Sequence, residues 1–253
     1  MYPYDNSDQL AWQAAKYDLL SNYYKYSDPQ KHVYYYQRHF ECMQRLMMHQ
    51  HGGQMRMAGM NGQAKVRVLH ASPDAPAVDI YVNGQKILEG VPFKQQSDYL
   101  SVAPGQYQID IYPQGETNQP VLSQSVTVEA GKMYTVAAAG KVDNLQLITV
   151  ADNTTVPSGN SKARFWHLSP NAPAVDIAVK GGNVLFRNVS FGEATNYLTL
   201  PPTTADLEVR VAGTNQVALE IPGVTLNPNQ AYTAVAVGLA GGQPPLEAIF
   251  LQP

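Results

Sequence analysis

Apolar positions along this chain change period once, near residue 60. Before that point they recur at helical spacing. Leu10, Ala14, Tyr17 and Tyr24 fall on one face of a first helix, and Val33, Tyr36, Phe40, Met43 and Met47 form a narrow stripe on a second. Ser7 or Asp8 can cap the first helix, read as residues 8–26. Asp28-Pro29 supplies an N-cap followed by proline at the first helical position, which predicts a second helix over 29–49. The short Ser27-Asp28 connection suits an antiparallel hairpin. Two helices bury little surface alone, so this pair must pack on itself, on the remaining chain or on another subunit, and the last is expected. Residues 51–63, HGGQMRMAGMNGQ, are aperiodic and rich in Gly, which predicts a flexible tether.

From residue 64 the period falls to two, in short alternating runs punctuated by Gly, Pro and Asn. The first module is expected to hold strands at 65–71, 77–83, 85–89, 97–102, 106–112, 121–128, 132–139 and 144–150. Asn83-Gly84 offers the positive-φ residues of a tight hairpin, and Gly181-Gly182 stands at the equivalent place further on. That equivalence belongs to an internal repeat. VRVLHASPDAPAVDI, starting at Val66, returns 97 residues later as ARFWHLSPNAPAVDI, starting at Ala163, with ten of fifteen positions identical. Phe93 then matches Phe191, Tyr99-Leu100 matches Tyr197-Leu198, and Tyr134-Thr135 matches Tyr232-Thr233. The chain therefore reads as a helical hairpin (1–50), the tether (51–63), module 1 (64–151), a polar linker (152–161) and module 2 (162–253). Seven or eight short strands per module predict a mainly β protein: two tandem immunoglobulin-like or transthyretin-like β-sandwich domains behind an N-terminal α-helical hairpin.

HASPDAPAVDIYVNG, its copy HLSPNAPAVDIAVKG and the later Tyr-Leu and Tyr-Thr strands resemble the bacterial family known as domain of unknown function 4397. The resemblance covers about 190 residues in two copies. It implies a β-sandwich module of secreted or surface-attached proteins and assigns no catalytic residue. The helical head is similar in composition to spore-coat and exosporium proteins, which assemble on a surface without a secretion signal.

Composition sharpens the division. The first 60 residues hold nine of the sixteen Tyr, seven of the eight Met, four of the six His and the only Cys. Their six basic and five acidic residues give +1, against eleven and fifteen, hence −4, in the remainder. A net charge of −3 with no basic run argues against nucleic-acid binding. No stretch of eighteen apolar residues predicts a membrane span, and the opening MYPYDNSDQL has neither the basic nor the apolar part of a signal peptide. One cysteine excludes an internal disulfide framework and a multi-cysteine zinc site.

Candidate chemistry concentrates in the repeated His-x-Ser-Pro segment. In an extended strand His70 and Ser72 project the same way, as do His167 and Ser169, and Asp79 or Asp176 could fold back to complete a Ser-His-Asp hydrolase. No G-x-S-x-G context accompanies them, and the alternative is that Ser and Asp satisfy a proline-directed turn. The same six positions, with Tyr99 and Tyr197 as a stacking platform, could instead bind a glycan or protein. His49, His51, Met55, Met57 and Met60 could offer soft metal ligands, but their spacing closes no set, so no metal or cofactor is expected. Cys42 lies off the stripe of the second helix, either buried or open to an intermolecular disulfide. The leading expectation is a non-enzymatic structural protein of a bacterial spore surface or cell envelope. It would form a homo-oligomer or polymer through Tyr17, Tyr24, Val33, Tyr36, Phe40, Cys42, Met43 and Met47, with a surface protein or glycan as possible partner. A binding module is the alternative and a hydrolase the third reading.

Overall fold

The computed structural model describes residues 6–25, 28–50 and 62–253, without the side chains of 6–9, 29, 30, 33 and 44–50. The expected tether lies largely outside the described residues, as do the side chains of Val33 and Met47 and the His and Met candidates of 49–60. The chain divides into two compact units, Met1–Gly62 and Gln63–Pro253.

The first unit contains α1 (Asn6–Tyr24) and α2 (Pro29–Gln50). Asp28 caps α2 as its spacing predicts, with Oδ1 accepting from the Lys31 amide at 3.1 Å. Leu10, Ala14 and Ser21 of α1 are buried, and so is Cys42 of α2. The ring of Tyr35 stacks on Tyr17 and on Tyr24, with centroids 6.2 and 5.7 Å apart. His32 and His39 place Nδ1 2.9 and 2.8 Å from the carbonyls of Ser21 and Ala14. The seam of α2 is therefore His32, Tyr35, His39 and Cys42. Tyr36 and Phe40 of the expected stripe lie off this seam, 51% and 41% exposed. Side chains with polar tips take the seam because they can bond to the carbonyls of the facing helix. The helices thus cover each other along this seam only.

The second unit is all β. Module 1 comprises β1 (Ala64–His70), β2 (Val78–Val82), β3 (Gln85–Val91), β4 (Leu100–Val102), β5 (Gly105–Pro113), β6 (Leu122–Val128), β7 (Met133–Ala139) and β8 (Gln146–Asp152). Module 2 repeats them as β9 (Ser161–His167), β10 (Val175–Val179), β11 (Val184–Val189), β12 (Leu198–Leu200), β13 (Thr203–Val211), β14 (Val217–Leu226), β15 (Ala231–Val237) and β16 (Glu247–Leu251). Each module pairs a sheet of order β4-β1-β7-β8 with one of order β3-β2-β5-β6, or β12-β9-β15-β16 with β11-β10-β13-β14. The expected strands are all present. In both modules the first and seventh strands run parallel, Val66 beside Tyr134 and Ala163 beside Tyr232, and all other named pairs are antiparallel.

Alternation along the strands fills three cores. Val68, Ile80, Ile109, Ile111 and Val136 close the sandwich of module 1, and Phe165, Ile177, Val209 and Ala236 that of module 2. The third core joins the modules. Leu69, Ala71, Ala137 and Ala139, from the outer face of the first sheet, meet Trp166, Leu168, Val235 and Val237 from the equivalent face of its copy. The sheets that carry the parallel pairs are thus covered on both sides. This explains why MYTVAAA and AYTAVAV are almost continuously apolar while other strands alternate.

Candidate functional site

The repeated segment follows the first strand of each module and folds into a bracket. His70 is buried, accepts the Ser72 amide on Nδ1 at 3.3 Å and has Nε2 3.0 Å from the Pro76 carbonyl. The Nδ1 acceptor role leaves the proton on Nε2, which donates to Pro76. His167 repeats this with Ser169 and with Pro173 at 3.1 Å. Burial lowers the pKa of both imidazoles, against the raising effect of the proline carbonyls, so each bracket is built for neutral histidine. The residue that follows His-x-Ser-Pro in each segment ties the bracket to the loop after the seventh strand. Asp74 accepts from the Val142 amide at 2.9 Å, and Asn171 bonds both the amide and the carbonyl of Ala240.

The aspartates of VDI serve another place. Asp79 accepts from the amides of Gly90 and Gly115 and from the Lys86 ammonium at 2.8, 3.3 and 2.8 Å. Asp176 accepts from Asn188 and Gly213 at 2.7 and 3.1 Å. Gly90 and Asn188 sit at positive φ where the pairing of the second and third strands shifts register, so each aspartate pins a β-bulge. Burial alone would raise the Asp79 carboxyl, but Lys86 and the two glycine amides outweigh it and hold the pKa low. For Asp176 the Asn188 amide is the main cause of a lowered pKa, opposed by burial and aided by Gly213.

The hydrolase arrangement is not what these residues form. The Ser72 hydroxyl donates to Asp74 and the Ser169 hydroxyl to the Gly238 carbonyl, while the aspartates are committed to bulge amides. His70, Ser72, Asp79, His167, Ser169 and Asp176 are all buried, so a partner arriving from solvent meets Asp74 and Pro76, or Asn171 and Pro173, instead. Tyr99 and Tyr197 are half-buried, and a guanidinium carbon, that of Arg67 or Arg164, lies 4.6 Å from each ring centroid. One face of each ring is therefore already covered.

Those arginines form a cluster that sequence reasoning missed. Arg67 donates from Nε to Thr135 Oγ1 at 2.8 Å and from Nη1 to the Gln252 carbonyl at 2.7 Å. Arg164 donates from Nε to Thr233 Oγ1 at 3.0 Å and from Nη1 to the Ala151 carbonyl at 2.8 Å. Arg164 thus reaches the last strand of module 1 and Arg67 the residue just past the last strand of module 2, the reciprocity of a two-fold interface within one chain. The carboxylate is not duplicated. Asp152 takes Arg164 Nη2 at 2.6 Å on one oxygen and the hydroxyls of Tyr99 and Thr135 at 2.7 and 2.6 Å on the other. Arg67 Nη2 is buried without a hydrogen-bond partner. Burial, reinforced by the bond to Asp152, pushes the Tyr99 phenol upward, so it stays protonated and donating. The available signal was an arginine kept at one place in both copies of a core strand; Asp152 carried none, because it reads as linker.

On the hairpin, Tyr17 and Tyr24 are half-buried in the seam, Cys42 is a buried free thiol 4.0 Å from Gln13 Oε1, and Met43 is half-buried. Trp12, Leu19 and Tyr23 on α1, with Tyr34, Tyr36 and Phe40 on α2, stand between 41% and 74% exposed. Among the described residues no group of three His, Cys, Asp or Glu is placed to hold a metal ion, and no helix is long and apolar enough to cross a membrane.

Two β-sandwiches fused through a common core, each braced by a histidine bracket and an aspartate-pinned bulge, define a tandem-repeat β protein. The chain belongs to the family Domain of unknown function (DUF4397), which matches residues 64–178 and 179–252. The first matched segment runs past β8 into β10, so its end does not coincide with the structural repeat. No curated protein matches the sequence. Among solved structures, the N-terminal domain of AlgF from P. aeruginosa shares 21% identity over 39% of this chain and 98% of its own, with a TM-score of 0.27. The Bacillus anthracis TIE protein shares 10% over 71% of this chain and 34% of its own, with a TM-score of 0.24. A family CBM26 module of Eubacterium rectale Amy13K, solved with maltoheptaose, shares 10% over 76% and 97%, with a TM-score of 0.26. Likenesses this slight carry no functional argument.

Proposed function

We propose that this chain is a non-enzymatic bacterial surface protein that self-associates through its helical hairpin and displays the fused β pair. The supporting observation is the hairpin's outer surface. Its seam is satisfied internally, yet Trp12, Leu19 and Tyr23 remain exposed on one face of α1, and Tyr36 and Phe40 on α2. Large apolar side chains grouped in this way mark an interaction surface. A second copy is the occupant we favour. The near-balanced charge of the first 60 residues, +1, sets up little repulsion between like hairpins, and aromatic residues are enriched in protein interfaces. A spore coat, surface layer or filament is the assembly this reading suggests. The β pair supports the display role, because its repeated His, Ser and Asp residues are spent on bracing loops.

Light scattering on the full chain tests this. A mass above the 27.7 kDa of one chain, returning to one chain in a Trp12→Glu, Tyr23→Glu, Phe40→Glu variant, is expected. A full chain that stays monomeric at every concentration overturns the reading.

A further inference from the structure

The two sandwiches are filled differently. In module 1 Val66, Tyr107 and Val136 pack into the space between the sheets, and Tyr107 anchors itself with a 2.7 Å bond from its hydroxyl to the Ala103 carbonyl. Strand register places Ala163, Ala205 and Ala234 at the same three positions of module 2. Phe165 and Phe186 stand where module 1 has Val68 and Leu88, and they replace only part of the lost volume. A cavity of about 110 Å³ remains, lined by the three alanines with Phe165, Phe186 and Leu207 among others. An apolar cavity of about 150 Å³ is enough to take benzene.

This cavity has an entrance. In module 1 the Gln124 side chain bridges the open edge of the sandwich, accepting from the Leu147 amide at 3.1 Å and donating to its carbonyl at 3.4 Å. Ile221 holds the equivalent register position in module 2, and β14 bulges there at Pro222-Gly223. Ala234 is partly exposed although it lies in a central strand, whereas Val136, its counterpart, is fully buried. Outside the bulge lies a second cavity of about 550 Å³ that shares Val224, Tyr232 and Phe250 with the first. Its polar side chains include Gln96, Thr225 and Gln252, and no charged residue lines it.

We propose that module 2 holds a binding site for a neutral amphiphile. A short alkyl group enters the inner cavity, and an uncharged, hydroxyl-bearing head lies among Gln96, Thr225 and Gln252. The lining selects this class: apart from Thr203 the inner walls are apolar side chains and Arg164, whose guanidinium is already bonded to Thr233, Ala151 and Asp152, so they offer an ionised group little compensation for desolvation, and the outer walls offer amides and hydroxyls rather than charges. Module 1, filled by Tyr107 and sealed by Gln124, is the internal control. The site is independent of the hairpin's role.

Titration of the full chain with hexyl β-glucoside below its micelle concentration, followed by NMR, tests the proposal. The expected result is shifts at the methyls of Ala163, Ala205 and Ala234 and at the side-chain amides of Gln96 and Gln252, with Val136 unmoved. Hexanol should shift the inner methyls only, and glucose neither set. Ala205→Tyr installs the residue that module 1 uses and should weaken hexyl glucoside binding at least tenfold; Ala234→Val, a smaller filling change, should weaken it less. A raised melting temperature in either variant shows that the fold is kept. The absence of inner-methyl shifts with hexyl glucoside, shifts that persist unchanged in both filled variants, or equal response to glucose alone overturns the proposal.

Discussion

Arg67 and Arg164 occupy one position of the repeat and make the same contacts to a threonine hydroxyl and to a carbonyl of the opposite module. Only Arg164 also has a carboxylate, Asp152. The histidine bonds of the brackets are the same in both copies, whereas the interior of module 2 has lost the tyrosine and the glutamine clamp that close module 1. Backbone-satisfying residues are held in both copies because each buried amide or carbonyl needs its own partner. Filling residues can drift, since a sandwich tolerates a change of volume as long as enough apolar contact remains. The second module is where such drift has left room.

The sharpest way to break the equivalence is at the glycines after β7 and β15. A Cβ on Gly238 lies 2.0 Å from the Pro245 carbonyl oxygen, and one on Gly140 lies 2.4 Å from that of Asn144, both at positive φ. Gly238→Ala should keep module 2 from reaching this fold, and circular dichroism should show module 1 failing with it because the two share a core. A folded module 1 in that variant breaks the claim of a common core. Trp166→Ala comes next. Its side chain is fully buried at the junction, so about 3–5 kcal/mol of stability should be lost in a single denaturant transition of the whole β pair. Two separated transitions, with module 1 at its original midpoint, count against it.

Asp152→Ala leaves Arg164 buried without its charge partner and removes the acceptor of Tyr99 and Thr135, so a loss of about 3 kcal/mol is expected in urea unfolding. Arg67→Met should cost less than Arg164→Met, since Arg67 already carries an unpaired buried nitrogen. The opposite order contradicts the asymmetry described here.

The smallest effect is shared by both modules. His70 and His167 have pKa values lowered in the fold, so the unfolded chain binds their protons first as pH falls. Stability should be flat above about 6.5, the ordinary histidine value, and decline as pH drops from there through the lowered folded values. The aspartates add a second decline below about 3.9, since Asp79 and Asp176 also titrate lower in the fold than outside it. Urea midpoints across pH 4 to 8 that stay constant contradict the neutral-histidine bracket.

Much of this architecture is readable from local pattern. Every strand of module 1 follows from alternation or, in β7, a short apolar run, together with turn residues, and Asp28-Pro29 marks the start of α2. The α2 seam is not readable so easily, because His32, Tyr35 and His39 look polar until the carbonyls and rings of α1 receive them. The candidate residues show the same limit. His70, Ser72 and Asp79 resemble a reactive set along the chain, but their partners Pro76, Asp74 and Gly90 are chosen by turns and a bulge whose geometry spacing does not encode.

By itself the sequence determined the helical head, the doubled β repeat and the positions that had to be buried, because periodicity and turn chemistry act between near neighbours. Only the tertiary structure decided that the two modules share one core, that Asp152 serves both of them, and that alanines replacing Val66, Tyr107 and Val136 leave a cavity open at an unsealed edge. Those outcomes depend on contacts between residues tens to more than a hundred positions apart, and on volumes that no single strand contains.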